Sequence, residues 1–68
     1  MKKRTTTGDN IKSARVKSGM SQEAACRLVD VRVNTWARWE QDRHEPSLEM
    51  LRQIAGVLGT TAARLLGR

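Results

Sequence analysis

Signals that stop one helix and start the next recur so often along this chain that no helix is expected to run beyond about three turns. Gly19 is a C-terminal stop, and Ser21 is the next N-cap, with Glu23 in the first turn where the helix dipole favours an anion. That second helix ends near Asp30. A third stops before "DRHEPS", where Pro46 excludes continuation and Ser47 caps the following helix. Gly59 ends the fourth, and Thr61 caps a last short one. Strand signals are almost absent: there is no Phe or Tyr, no Asn-Gly dipeptide and no sustained alternation. The expected fold class is all-α, a compact domain of five short helices.

Apolar spacing supplies the expected core. Ile11 and Ala14 share a face of helix one, and Ala25, Leu28 and Val29 are expected to point inward from helix two. Leu51, Ile54, Ala55 and Leu58 fall at i, i+3, i+4 and i+7, the cleanest amphipathic stripe in the chain. Residues 1–7 are basic and threonine-rich and read as a flexible N-terminal arm, leaving residues 8–68 as the folded domain. With 68 residues there is room for a single core. The balance of 38% hydrophobic and 29% charged residues is that of an ordered globular domain. Polar "TTTGDNIKS" follows the opening "MKKR" where a signal peptide would be apolar, and no stretch is long and apolar enough to span a bilayer. The expected location is a prokaryotic cytoplasm, whether the chain is chromosomal or phage-encoded.

Charge narrows the function. Thirteen Lys and Arg against seven Asp and Glu give a formal net charge of +6, the footprint of a polyanion binder and one that ribosomal or membrane-surface proteins can share. Both aromatic residues lie in "NTWARW", residues 34–39. They could stack bases or anchor a helix whose other face does the work. At 100° per residue with Val33 at zero, Ala37 falls near ~40°, Gln41 near ~80°, Asn34 near ~100° and Arg38 near ~140°. Trp39 falls near ~240° and Trp36 near ~300°, with Thr35 near ~200° and Glu40 near ~340°. The rings therefore face the core, while the opposite face offers an amide, a guanidinium and two small apolar groups. A major groove is read by such groups: Arg on guanine, Asn on adenine, Val or Ala on the thymine methyl. An amphipathic helix with a polar outer face is also the default of any globular protein. Arg32 tilts the balance, because a cation at a helix start opposes the dipole and makes sense beside phosphate.

Two residues invite other chemistry. Cys26 reads as a small buried side chain where helix two meets helix three, and one cysteine builds neither an internal disulfide nor a cysteine zinc site. His44, the single histidine, has no second ligand nearby, so no metal and no cofactor are expected. It reads as a solvated loop residue beside Arg43.

The ordered series "GMSQ", "RWE", "EPSLEML" and "IAGVLG" followed by a leucine pair resembles the Cro/C1-type (Xre) helix-turn-helix family of phage and bacterial repressors, over about residues 8–66. The resemblance implies a lambda-repressor-like domain with its helix-turn-helix at helices two and three. It implies that Gln22 contacts the DNA backbone and that Arg32, Val33, Asn34 and Arg38 read bases and phosphates, with Ala37 on the same face. Gln41, Arg43 and His44 would touch phosphate from the end of helix three and its loop, and Arg15 and Glu40 would form a structural pair joining helices one and three. The chain departs from the family at Asp30, where a turn glycine is usual, and at Arg32, where a Ser or Thr cap is usual. It departs again at Ala25, where leucine is usual, and at Trp36 and Trp39, which stand at isoleucine-type positions; the larger rings could fill the volume that Ala25 leaves.

The expected function is therefore that of a non-enzymatic, sequence-specific regulator of transcription, probing double-stranded DNA as a homodimer on a palindromic operator and acting as a repressor. Leu65 and Leu66 could close the core or form part of the dimer face. Lys2, Lys3 and Arg4 could follow a groove or remain a non-specific tail. The alternative is an antitoxin-type module of the same fold that chiefly binds a protein partner, which an acidic outer face on helix three would have favoured.

Overall fold

The computed structural model describes residues 5–67, so the Lys2, Lys3 and Arg4 of the arm lie outside the described residues. Five helices follow in order: α1 (Thr7–Lys17), α2 (Gln22–Leu28), α3 (Val33–Glu40), α4 (Leu48–Leu58) and α5 (Ala62–Leu65). The arm is shorter than its sequence boundary suggested. Thr6 already caps α1, accepting from the Asp9 backbone N–H while the Asp9 carboxylate accepts from the backbone N–H of Thr6. Ser21, Ser47 and Thr61 cap α2, α4 and α5 through their hydroxyls, as their positions require. At α3 the N-cap is Arg32, whose side chain forms no capping bond.

One core joins all five helices: Ile11, Ala25, Cys26, Val29, Trp36, Trp39, Leu51, Ile54, Ala55, Leu58 and Leu65. The stripe of α4 is buried throughout. Trp36 and Trp39 meet at a tilt of 58° with ring centroids 5.7 Å apart, a favourable aromatic contact. Ala25 and Trp36 are both fully buried in this cluster, in keeping with the exchange of a leucine in α2 for a ring in α3.

Leu28 is a correction: it stands 56% exposed. With Ala25 as reference, Val29 and Cys26 fall at about 40° and 100° around α2, and Leu28 about 60° to the other side. The helix turns toward the core between Ala25 and Cys26, which leaves Leu28 on its flank. Leu65 takes the first of its two expected roles, since it is 1% exposed and belongs to the core of the single chain. A dimer face in this region would have to use the half-buried Leu66 and its surroundings.

Four helices stop in the same way. A residue at positive φ follows the last turn, and the next N–H reaches back to a carbonyl five residues earlier: Met20 to Arg15, Val31 to Cys26, Arg43 to Arg38 and Thr60 to Ala55. Gly19 and Gly59 occupy two of these left-handed positions, and Asp30 (φ 58°) and Asp42 (φ 59°) the other two. An L-residue there is strained by about 1–2 kcal/mol, partly relieved for aspartate. The Asp30 side chain is exposed. Asp30→Gly is therefore expected to stabilise the domain by about 0.5–1 kcal/mol after the added flexibility of the unfolded chain is subtracted. Urea unfolding monitored by circular dichroism checks this, and a midpoint at or below that of the wild type would contradict it.

α1 is attached differently from the rest. Its only large buried apolar side chain is Ile11, while Val16 stands 59% exposed. Directional bonds take up the work. Asn10 Nδ2 donates to the Leu65 carbonyl (2.9 Å), the Ser18 hydroxyl is shared between the Ala14 carbonyl of its own helix (2.9 Å) and that of Leu58 (3.2 Å), and Arg15 Nη1 braces the turn after α1 by donating to the Met20 carbonyl (2.8 Å).

Candidate functional site

α3 has two faces whose chemistry differs by design of its sequence order. On the inner side Trp36 and Trp39 are packed into the core, so neither ring is available for stacking on a base. Between them and α1 sits Glu40, 8% exposed and the one buried charged residue among the described residues. Four donors converge on its carboxylate. Oε2 accepts from Arg15 Nε (2.6 Å) and from the Trp36 indole Nε1 (2.6 Å). Oε1 accepts from Arg15 Nη2 (3.2 Å) and Gln22 Nε2 (2.9 Å). Each oxygen is thus doubly satisfied. Burial pushes the Glu40 carboxyl up, but the hydrogen bonds from Arg15, Gln22 and Trp36 and the charge of Arg15 outweigh it, holding the group below its ordinary 4.5. The Arg15–Glu40 pair is the single ion pair among the described residues.

The outer side presents the residues expected there. Arg32, Asn34, Arg38, Gln41, Arg43 and His44 are exposed, Val33 is 37% exposed and Ala37 is half-buried. The one acid of α3 is the Glu40 held inside, so the exposed face carries cations and amides without a carboxylate of its own. Gln22, first residue of α2, is half-buried, and its amide reaches across to the last residue of α3. Cys26 is buried in the core cluster, and its thiol donates to the Glu23 carbonyl (3.2 Å).

The carboxylate that sequence reasoning missed is Asp42. Just past α3 it accepts from the Gly8 backbone N–H at 3.0 Å and from the Thr6 hydroxyl, fastening the start of α1 to the end of α3. Gly8 is buried at this junction: a Cβ there would lie 2.5 Å from the Trp39 carbonyl oxygen and 2.7 Å from that of Glu40. Arg43 and His44 follow directly on this fastened residue. The i, i+4 spacing of Trp36 and Glu40 could have disclosed the indole bond, but nothing local ties Gly8 to a residue so far along the chain.

Comparisons with known proteins agree with the fold. The family profile described as helix-turn-helix matches residues 11–65. Among solved structures, the P22 c2 repressor in complex with a synthetic operator is 27% identical, with a TM-score of 0.86 over 91% of this chain and 94% of that one. A hypothetical transcription factor, NHTF from Neisseria, is 28% identical, with a TM-score of 0.84 over 93% of this chain and 72% of that one. SinR, a master regulator for biofilm formation solved in complex with DNA, shares the fold at 24% identity, with a TM-score of 0.83 over 90% of this chain and 98% of that one. No curated protein sequence matches the chain. Among the described residues no helix is long and apolar enough to cross a membrane.

Proposed function

This chain belongs to the helix-turn-helix family of Cro/C1 type, and we propose that it is a repressor that sets α3 into the major groove of a palindromic operator as a homodimer. The observation that carries this reading is the separation of charge on α3, with its single acid bonded inside and its exposed side basic. Asn34 and Arg38 read base edges, Val33 and Ala37 meet thymine methyl groups, and Arg32 stands at the helix start beside phosphate. Gln22, Gln41, Arg43 and His44 hold the DNA backbone on either side. Two copies would place their third helices about 34 Å apart, one helical turn. The role is one of binding, with no catalytic step assigned to any residue. The cytoplasm is its place of action.

Arg38→Ala is expected to cost about 1–3 kcal/mol at the operator and to relax the preference at one base pair. Arg43→Ala should instead weaken all sequences alike and reduce the slope of affinity against salt by about one. Selection from random duplexes with the purified protein, followed by anisotropy titrations, measures both. Failure to enrich any palindrome would overturn the operator reading, and a sedimentation profile of monomers on operator DNA would overturn the dimer.

A further inference from the structure

The bond between Gln22 and Glu40 joins the two ends of the helix-turn-helix, the first residue of α2 and the last of α3. A glutamine amide has a donor end and an acceptor end of nearly the same shape, and only the donor end can serve a phosphate. An ionised carboxylate accepts and cannot donate. Glu40 is held ionised by Arg15 and Trp36, which together occupy Oε2, while a second Arg15 nitrogen takes one place on Oε1. The remaining place on Oε1 can be filled only by the NH2 end of Gln22. That nitrogen carries a second hydrogen, free once the first is committed to Glu40.

From this geometry we infer that Glu40 is a positioning residue for DNA-backbone binding, fixing the Gln22 amide so that nitrogen, and not oxygen, meets phosphate. Glu40 touches no DNA itself. The inference rests on the proposed DNA-binding reading and adds to it a reason why a buried acid helps a basic interface. A purely electrostatic account gives the opposite sign, because removing a negative charge from a DNA-binding domain strengthens its attraction to phosphate.

The test is a double-mutant cycle on the full chain with a mixed-sequence duplex of about 20 base pairs at low salt, since a backbone contact does not need the operator. Gln22→Ala should weaken binding about tenfold, the lower end for one lost hydrogen bond to a charged phosphate. Glu40→Gln, which can accept or donate toward position 22, should weaken binding by a comparable factor in the wild-type background and by none in the Gln22→Ala background. Ile54→Val supplies the control for stability: it trims one methyl group from the α4 side of the core, lowers the melting temperature while leaving the Gln22–Glu40 bond, and its affinity should match the wild type at a temperature where all variants are folded. Unchanged or tighter binding by Glu40→Gln would overturn the inference, as would equal losses with and without Gln22. A wild-type chain that does not bind the duplex would instead overturn the DNA-binding reading itself.

Discussion

Arg15→Met should destabilise the domain by about 3 kcal/mol at neutral pH, the scale expected when one member of a buried ion pair is removed and the other stays charged. The pair is well shielded, with side chains 12% and 3% exposed, so solvent screening discounts the loss little. A pH series distinguishes this cause from lost packing. In the wild type Glu40 sits below its ordinary 4.5, so its ionised form contributes stability that is present above that value and is lost as pH falls through the lower folded one. Without Arg15, burial opposes ionisation with only Gln22 and Trp36 against it. Protonation then relieves the variant sooner than the wild type, and the gap between their urea midpoints should narrow from pH 7 toward pH 4. A gap that stays constant across the series would assign the loss to packing of the arginine stem.

Gly8→Ala should be nearly as damaging, at about 2–3 kcal/mol, because the two atoms its methyl group would meet most closely are backbone oxygens, which cannot swing aside as a side chain can. The Trp39 and Glu40 carbonyl oxygens and the Asp42 carboxylate would lie 2.5, 2.7 and 2.8 Å from the new carbon. Relief requires α1 to move off the end of α3, and that movement breaks the bonds from Thr6 and Gly8 to Asp42. Position 8 is otherwise helical, where alanine is favoured over glycine by about 1 kcal/mol, so the sign of the effect is informative. Thermal unfolding by calorimetry measures it, and an increase in Tm would show that α1 can shift without cost.

These two sites mark where the sequence is legible and where it is not. Helix number, caps and the α4 stripe follow from local rules, since each depends on residues within a turn or two of one another. The inward turn of Trp36 and Trp39 follows from the 3.6-residue period alone. Leu28 misled because its apolar character fitted the helix while its angle did not, and only the direction of packing against α3 and α4 decides that angle. Asp42 and Gly8 were invisible for another reason: their bond spans the chain between α1 and the loop after α3, and neither residue carries a local mark of a distant partner. The bond from Gln22 to Glu40 was not legible either, because the resemblance sent Gln22 to the DNA backbone and paired Glu40 with Arg15 alone.

The two-sided chemistry of α3 bears on how such a protein can change over generations. The side-chain bonds that seat the helix are made by Trp36, Glu40 and Asp42, whereas Arg32, Asn34 and Arg38 are exposed and leave the ion pair untouched. Substitutions at those outer positions fall in the class that shifts stability by less than about 0.5 kcal/mol. If those positions read bases as proposed, preference for a DNA sequence can drift without passing through an unfolded ancestor, and duplicated copies of such a gene can part company in what they recognise while keeping one fold.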